Sequence, residues 1–419
     1  MGKRRTTKFY EMGIQDRLAV VQDQAGLTDD EVSALGMPLA LESANRMIEN
    51  AVGTISIPLG IATNFVINGQ ERLVPMAIEE PSVIAAASKA AKIARSKGGF
   101  LVEAGESLMI GQIQIVSVPN IEFAKKEIEK NKLQILEAGN SKTNSIKARD
   151  LSVRQVTDES PNDMGDMLVV ELIADAKDAM GANAINTICE SAAPAVAQIS
   201  GGQVVLRILS NYATRRLVRC RAIFDKTELG GSEVVERILY AYALAYTDIY
   251  RAVTHNKGIM NGIDAVAVAT GQDFRAVEAA AHAYACREGQ YRSLSKWTKT
   301  AEGDLVGELE LPLAVGTTGG ITSVNPAART AIKITGSKNA KDLAMCIAAV
   351  GLAQNLAAMR ALVSEGIQRG HMKLHARNIA VAAGAKGREI DLVASQIAKE
   401  HSVTLDTARR ALESLRSSK

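Results

Sequence analysis

Met167-Leu168-Val169-Val170-Glu171-Leu172-Ile173-Ala174, followed a few residues later by Asp178-Ala179-Met180-Gly181-Ala182-Asn183, is the stretch that decides the fold class. The first part alternates along the chain with the period of two that a half-buried strand requires. The second opens a helix that runs through Asn186 and Thr187 to Glu190. Small residues at a helix start let a phosphate approach backbone N–H groups. They equally suit a helix packed tightly on its own sheet, and spacing alone does not separate the two. No GxGxxG follows a strand and no GxxxxGK[ST] occurs, so neither a Rossmann fingerprint nor a P-loop is present.

The same pattern extends outward. Residues 112–118 alternate as a second strand, the acidic and turn-rich 157–166 separates strands, and helical runs cover 122–137 and 183–197. Strands and helices interleaved with little linker make a compact α+β unit between about 107 and 209. Upstream, Gly69 between two short apolar runs predicts a hairpin. Pro81 and Ser82 then open an Ala-rich helix that stops at Lys97-Gly98-Gly99. Beyond Glu233 the chain reads as mostly helical, with small residues that permit close helix contacts, and from His371 as a basic helical tail.

Composition narrows the function classes. At 419 residues the chain exceeds one ordinary core, and 47% apolar with 23% charged residues is a well-packed globular balance. A net charge of +3 and 4% aromatics, without basic and aromatic residues interleaved, argue against a nucleic-acid platform. Four cysteines without a CxxC pair argue against a disulfide framework and a thiolate metal site, and fit a reducing cytoplasm. No run approaches the ~18 consecutive apolar residues of a membrane helix, so no membrane partner is expected.

Several stretches carry side chains suited to chemistry. Glu79-Glu80 precedes a helix start, where carboxylates commonly oppose the helix dipole. For Glu80 to act as an acid there, burial or a second carboxylate beside it must raise its affinity for a proton. The stretch 254–262 reads as a glycine-flanked loop holding Lys257, suited to stabilising an oxyanion, with Asp273 following as either a partner or the N-cap of a helix at Phe274. His371 and His375 are four apart without a third ligand, so a proton donor fits better than a metal site.

Taken in order, ENAVG (49–53) with Pro58 and Gly60, PMAIEEPSVIAAAS (75–88), DAMGANAINT (178–187), THNKGIMNGID (254–264), GTTGG (316–320) and RGHMKLHARN (369–378) closely resemble the 3-hydroxy-3-methylglutaryl-CoA reductase family. The likeness runs from about residue 15 to the tail and is nearest to the soluble, prokaryotic class II. It implies a large, mostly helical domain (1–106 and 213–368), a smaller antiparallel, ferredoxin-like nucleotide domain (107–212) and a C-terminal helical flap (369–419). It also implies reduction of 3-hydroxy-3-methylglutaryl-CoA to mevalonate and CoA with two reduced nicotinamides, no metal, and a cytoplasmic homodimer or higher oligomer with shared sites. Lys257 would hold the oxyanion, Glu80 would supply protons, Asp273 would touch and tune both, and His371 would protonate the departing thiolate. Ser82, Arg251, Asn261, Gln354 and Asn355 would hold the acyl ligand. Asp178, Met180, Gly181, Asn183, Asn186 and Asn211 would hold the nucleotide.

The chain departs from the family's NADH-using pattern in one place. Asn140-Ser141-Lys142-Thr143 has Thr143 where that pattern carries an Asp for the ribose hydroxyl. Without that carboxylate, and with Lys142 or Lys147 to attract a 2′-phosphate, NADPH is favoured over NADH. Two further readings are NAD-dependent mevalonate oxidation and a silent dimer that only binds CoA esters. The silent dimer would be expected to have lost one of Glu80, Lys257, Asp273 or His371, and all four are present.

Overall fold

The computed structural model describes residues 8–144, 146–364, 376–400 and 402–417. Helices α1 (Ile14–Ala25), α2 (Asp29–Gly36) and α3 (Leu41–Met47) lead to the antiparallel hairpin β1 (Leu59–Ile67) and β2 (Gln70–Ala77). Its two-residue turn is Asn68-Gly69, both at positive φ, as a right-twisted hairpin demands. The alanine helix α4 (Val83–Arg95) and strand β3 (Phe100–Ala104) follow.

The inserted unit then runs β4 (Leu108–Val116), α5 (Ile121–Lys130), α6 (Lys132–Asn140), β5 (Lys147–Thr157), β6 (Asp166–Asp175), α7 (Ala182–Ser200) and β7 (Gln203–Ser210). Its sheet has the order β5-β6-β4-β7, with every pairing antiparallel. Alternate residues of β4 and β6 are buried, as the period of two predicts. Gly111 lets α7 lie close on this sheet, because a Cβ there would meet Cys189 Sγ at 2.3 Å.

The chain returns through β8 (Leu217–Phe224), α8 (Lys226–Leu229), α9 (Ser232–Thr247), α10 (Ile249–Ala269), α11 (Phe274–Ala285), β9 (Ser295–Lys299), β10 (Leu305–Pro312), α12 (Ile321–Val324), α13 (Pro326–Ile334) and α14 (Ala340–Val363). A second sheet, β2-β1-β3-β8-β10-β9, therefore lies at the heart of the part read as mostly helical. Strands β3 and β9 are five residues each, too short for a periodic signal. Across this sheet Phe65, Phe100, Phe224 and Trp297 form a ladder with ring centroids 5.5, 6.3 and 5.8 Å apart. Each aromatic pair adds about 0.5–1.5 kcal/mol beyond area burial. Strand β10 lies between Phe224 and Trp297, and Gly307 leaves the gap: a Cβ there would meet the indole at 2.5 Å.

Residues 254–262 are not a loop but the middle of α10. Their glycines serve helix contact: a Cβ on Gly262 would lie 2.9 Å from Gln354 Cβ and 3.1 Å from Val350 O, so α10 and α14 cross closely. Helix α14 is long and apolar enough to span a membrane by composition, yet 67% of its apolar window is buried in the chain. Its apolarity is used in the core, against α10, α4 and the six-stranded sheet. The helices Arg388–Lys399 and Leu405–Ser417 share a small core of their own around Ile397 and Leu412.

Candidate active site

A cleft of about 340 Å³ lies between the start of α4, the middle of α10 and the C-terminal half of α14. Glu80 reaches it from the turn after β2. No acidic residue occupies the first turn of α4 and Ser82 makes no capping bond, so the Glu pair does not cap this helix. Instead Lys257 Nζ donates to Glu80 Oε2 at 3.3 Å, and Asn261 Nδ2, one turn further along α10, stands 3.5 Å from the same oxygen. Lys257 is 62% exposed and Glu80 34%, which limits such a pair to about 1 kcal/mol of stability. The pair is open to whatever enters the cleft.

Ser82 holds a left-handed backbone (φ 78°), a strain of about 1–3 kcal/mol that a non-glycine residue rarely carries. Its buried hydroxyl has no partner, and neither has the buried Gln354 Oε1. Both line the cleft with Arg251 and Asn261, so four of the five residues expected to hold the acyl group have groups free for it. The fifth differs. Asn355 also lines the cleft but is 1% exposed, and its amide is taken up by Ser295, Trp297 and His255. His255 was not singled out from sequence; burial and Arg251 push its pKa down to about 3, so it is neutral.

Among the described residues, the side-chain contacts of Glu80 are with Lys257 and Asn261 and not with a second carboxylate. Asp264, on α10, pairs with Glu278, and burial and that neighbour push its carboxyl well above the usual carboxylate range. Asp273 is placed otherwise than expected: its Oδ1 caps α11 through Ala276 N–H at 3.1 Å and lies 3.3 Å from Arg275. The chain turns back there, with Gln272 N–H bonding to Ala267 O. Ten helical residues from Lys257 to Ala267 span about 15 Å. Asp273 does not touch Glu80 or Lys257 within one chain. His371 and His375 fall outside the described residues.

Asp273 instead neighbours the loop that leads into α7. Gln272 Oε1 accepts from Gly316 N–H at 2.8 Å, and Thr317 and Thr318 N–H donate to Asp178 O. Gly316 must be a glycine, since a Cβ would meet Met180 N at 2.6 Å. Gly181, at φ 100°, begins α7, which has neither a side-chain cap nor an acidic first turn. Its free N–H groups suit a pyrophosphate. Asn183 and Asn211 are exposed beside it, whereas Asn186 Oδ1 accepts from Leu209 N–H and ties α7 to β7. Asp178 Oδ1 similarly accepts from Ala340 N–H, so both of these residues build the loop.

Arg216 had no sequence signal and holds this loop together. It is 5% exposed and donates to Ala179 O and Met180 O at 3.2 Å each and to Val315 O. Burial pulls its pKa down to about 10. Arg216→Ala leaves three carbonyls without their donor. We expect a loss of about 3–5 kcal/mol in unfolding free energy, read by denaturant titration, and a higher KM for the nicotinamide. In the turn after α6, Thr143 is buried with an unpartnered hydroxyl. Lys147 is committed to Asn140 O and Thr143 O, while Lys142 is exposed. Among the described residues, no three His, Cys, Asp or Glu side chains gather as a metal site.

An exposed acid–cation pair in a cleft, in the same chain as an uncapped helix start and without a Rossmann fingerprint, suits an enzyme that acts on a carbonyl group with a phosphate-bearing cofactor. Comparison with known proteins makes this particular. The family model for hydroxymethylglutaryl-coenzyme A reductase matches residues 13–376. A 3-hydroxy-3-methylglutaryl-coenzyme A reductase of Archaeoglobus fulgidus is 52% identical over 98% of this chain and 94% of its own. The Streptococcus pneumoniae enzyme superposes with a TM-score of 0.82 at 41% identity, covering 97% of this chain and 99% of the other. A class II structure from that organism, bound to NADPH in open conformations, gives 0.81 at 42%, covering 97% and 100%. The chain belongs to the hydroxymethylglutaryl-coenzyme A reductase family and is of its prokaryotic class II type.

Proposed function

We propose that this chain reduces 3-hydroxy-3-methylglutaryl-CoA to mevalonate and CoA with two reduced nicotinamides, NADPH favoured, as a cytoplasmic homodimer whose sites are shared between subunits. The observation that carries this reading is the exposed Glu80–Lys257 pair in a cleft lined by Ser82, Arg251, Asn261 and Gln354. Residues 107–212 form the nucleotide domain, 1–106 with 213–368 the substrate domain and 369–419 the flap. Separate apolar cores around Phe65–Trp297, Ile113–Ile188 and Ile397–Leu412 support that division.

The bound nicotinamide supplies the two electrons of each reduction. Lys257 holds the thioester oxygen and stabilises negative charge as it forms there, the role for which an exposed cation in a narrow cleft is suited. Glu80, in contact with Lys257, gives the proton that converts that oxygen to a hydroxyl. Arg251 faces the acyl carboxylate, and Ser82, Asn261 and Gln354 orient the rest of the group. His371 protonates the departing CoA thiolate.

Asp273 joins Glu80 and Lys257 from the second subunit. Exposed apolar side chains favour such a dimer. Tyr250 (84%) and Val253 lie on α10 in the turns leading to Lys257, with Tyr240 and Leu244 on α9. Val52 (97%) and Ile55 (95%) stand out from the extended segment before β1. Patches of this kind mark interfaces.

The test follows nicotinamide oxidation by absorbance with 3-hydroxy-3-methylglutaryl-CoA and either NADPH or NADH. Two nicotinamides consumed per CoA released is the expected stoichiometry; no turnover with either would remove the reading. Thr143→Asp places a carboxylate where a 2′-phosphate would come. We expect it to move the NADPH/NADH ratio of kcat/KM by about tenfold or more towards NADH. An unchanged ratio would show that Thr143 does not face the ribose.

A further inference from the structure

The wall of the acyl cleft contains a hydrogen-bond donor that the folded chain does not use. His255 lies on α10 one turn after Arg251, is 1% exposed and forms part of the cleft lining. Its Nε2 stands 2.8 Å from Ser295 Oγ and 3.1 Å from Asn355 Nδ2. Its Nδ1 is buried and has no partner.

Trp297 settles which nitrogen carries the proton. An indole N–H only donates, and Trp297 Nε1 lies 2.9 Å from Asn355 Oδ1. The reverse amide orientation would set two donors against each other. The Asn355 amide therefore turns its NH₂ towards His255, and His255 Nε2 must accept. The imidazole is neutral, so its hydrogen is on Nδ1, the side without a partner. The aromatic ladder that fixes Trp297 thus fixes a tautomer in the cleft.

A buried donor without an acceptor is a defect of the fold unless a ligand completes it. Ser82 Oγ, and Gln354 Oε1 as an acceptor without a donor, are also unpartnered and line the same cleft. Arg251, one turn before His255, has no carboxylate partner among the described residues. We propose that His255 is a substrate-binding residue, its Nδ1–H donating to the acyl carboxylate that Arg251 faces. This rests on the reading of the cleft as the site for a 3-hydroxy-3-methylglutaryl group, and names a residue that selects for its free acid end.

The test is calorimetric titration of the full chain and of His255→Gln with mevalonate, 3-hydroxy-3-methylglutaryl-CoA and free CoA. Glutamine keeps a polar head near Ser295 and Asn355 but has no group at the Nδ1 position. Mevalonate and the acyl-CoA, which both carry the carboxylate, should bind about tenfold or more weakly, about 1.4 kcal/mol. Free CoA should bind as before, and the melting temperature should hold. Unchanged mevalonate affinity, or equal weakening of free CoA, would overturn the role of His255 alone. Failure of the unaltered chain to bind mevalonate and the acyl-CoA would overturn the reading of the cleft as well. If His255→Gln does not fold, neutron diffraction of the unaltered protein decides: deuterium on Nδ1 is expected, and deuterium on Nε2 refutes the proposal.

Discussion

Replacing Lys257 by Met is expected to cut kcat by about 10²–10³, the cost of removing one group that stabilises a developing oxyanion. The thioester oxygen gains its charge only as the carbonyl is reduced, so the loss should appear in kcat and leave KM nearly unchanged. Stability should not follow. The Lys257–Glu80 pair is open to solvent, so its removal costs at most about 1 kcal/mol, a shift of only a few degrees in a chain of this size. That split separates a chemical role from a structural one. Methionine keeps the length and apolar stem of lysine, so the packing of α10 against α4 and α14 is retained. Steady-state kinetics with a melting curve on the same sample make the check. A variant within about fivefold of the parent kcat would take Lys257 out of the chemistry.

Where a feature was legible in the sequence, its cause was local. The hairpin follows from Asn68-Gly69 between apolar runs, and the inserted sheet from alternation in 112–118 and 167–174. The stretch 254–262 misled because Asn256, Gly258, Asn261 and Gly262 resemble a turn, whereas the glycines permit contact with a helix ninety residues away. Nothing local to Gly262 announces Val350, and tertiary packing overrides propensity there. Arg216 and Trp297 were silent for the same reason. Arg216 stands among ordinary basic residues, and only the fold brings Ala179 O, Met180 O and Val315 O around it. Trp297 sits in a five-residue strand and acquires its meaning from Gly307 and Asn355. Asp273 was legible as the cap of α11, and its distance from Lys257 followed only once 254–262 proved helical.

That distance makes the second large effect. If Asp273 serves the Lys257 of the other subunit, Lys257→Met and Asp273→Asn should each be nearly inactive alone yet restore activity when mixed. Asn caps a helix as well as Asp, so the second variant keeps α11 intact. Random reassortment makes half the dimers mixed. In a mixed dimer one site combines both altered residues, and the other combines an intact Lys257 with an intact Asp273. About a quarter of all sites should therefore recover, a rise of some two orders of magnitude over either variant, as a two-fold isologous interface requires. Were both residues used from one chain, every site in the mixed dimer would carry one lesion and activity would stay at the floor. The measurement is the specific activity of co-expressed, differentially tagged variants purified through both tags. Mixed dimers selected in this way should reach about half the parent value, since one of their two sites is complete. Activity at the floor in dimers shown to be mixed would place Asp273 outside the shared site and leave its role as the cap of α11.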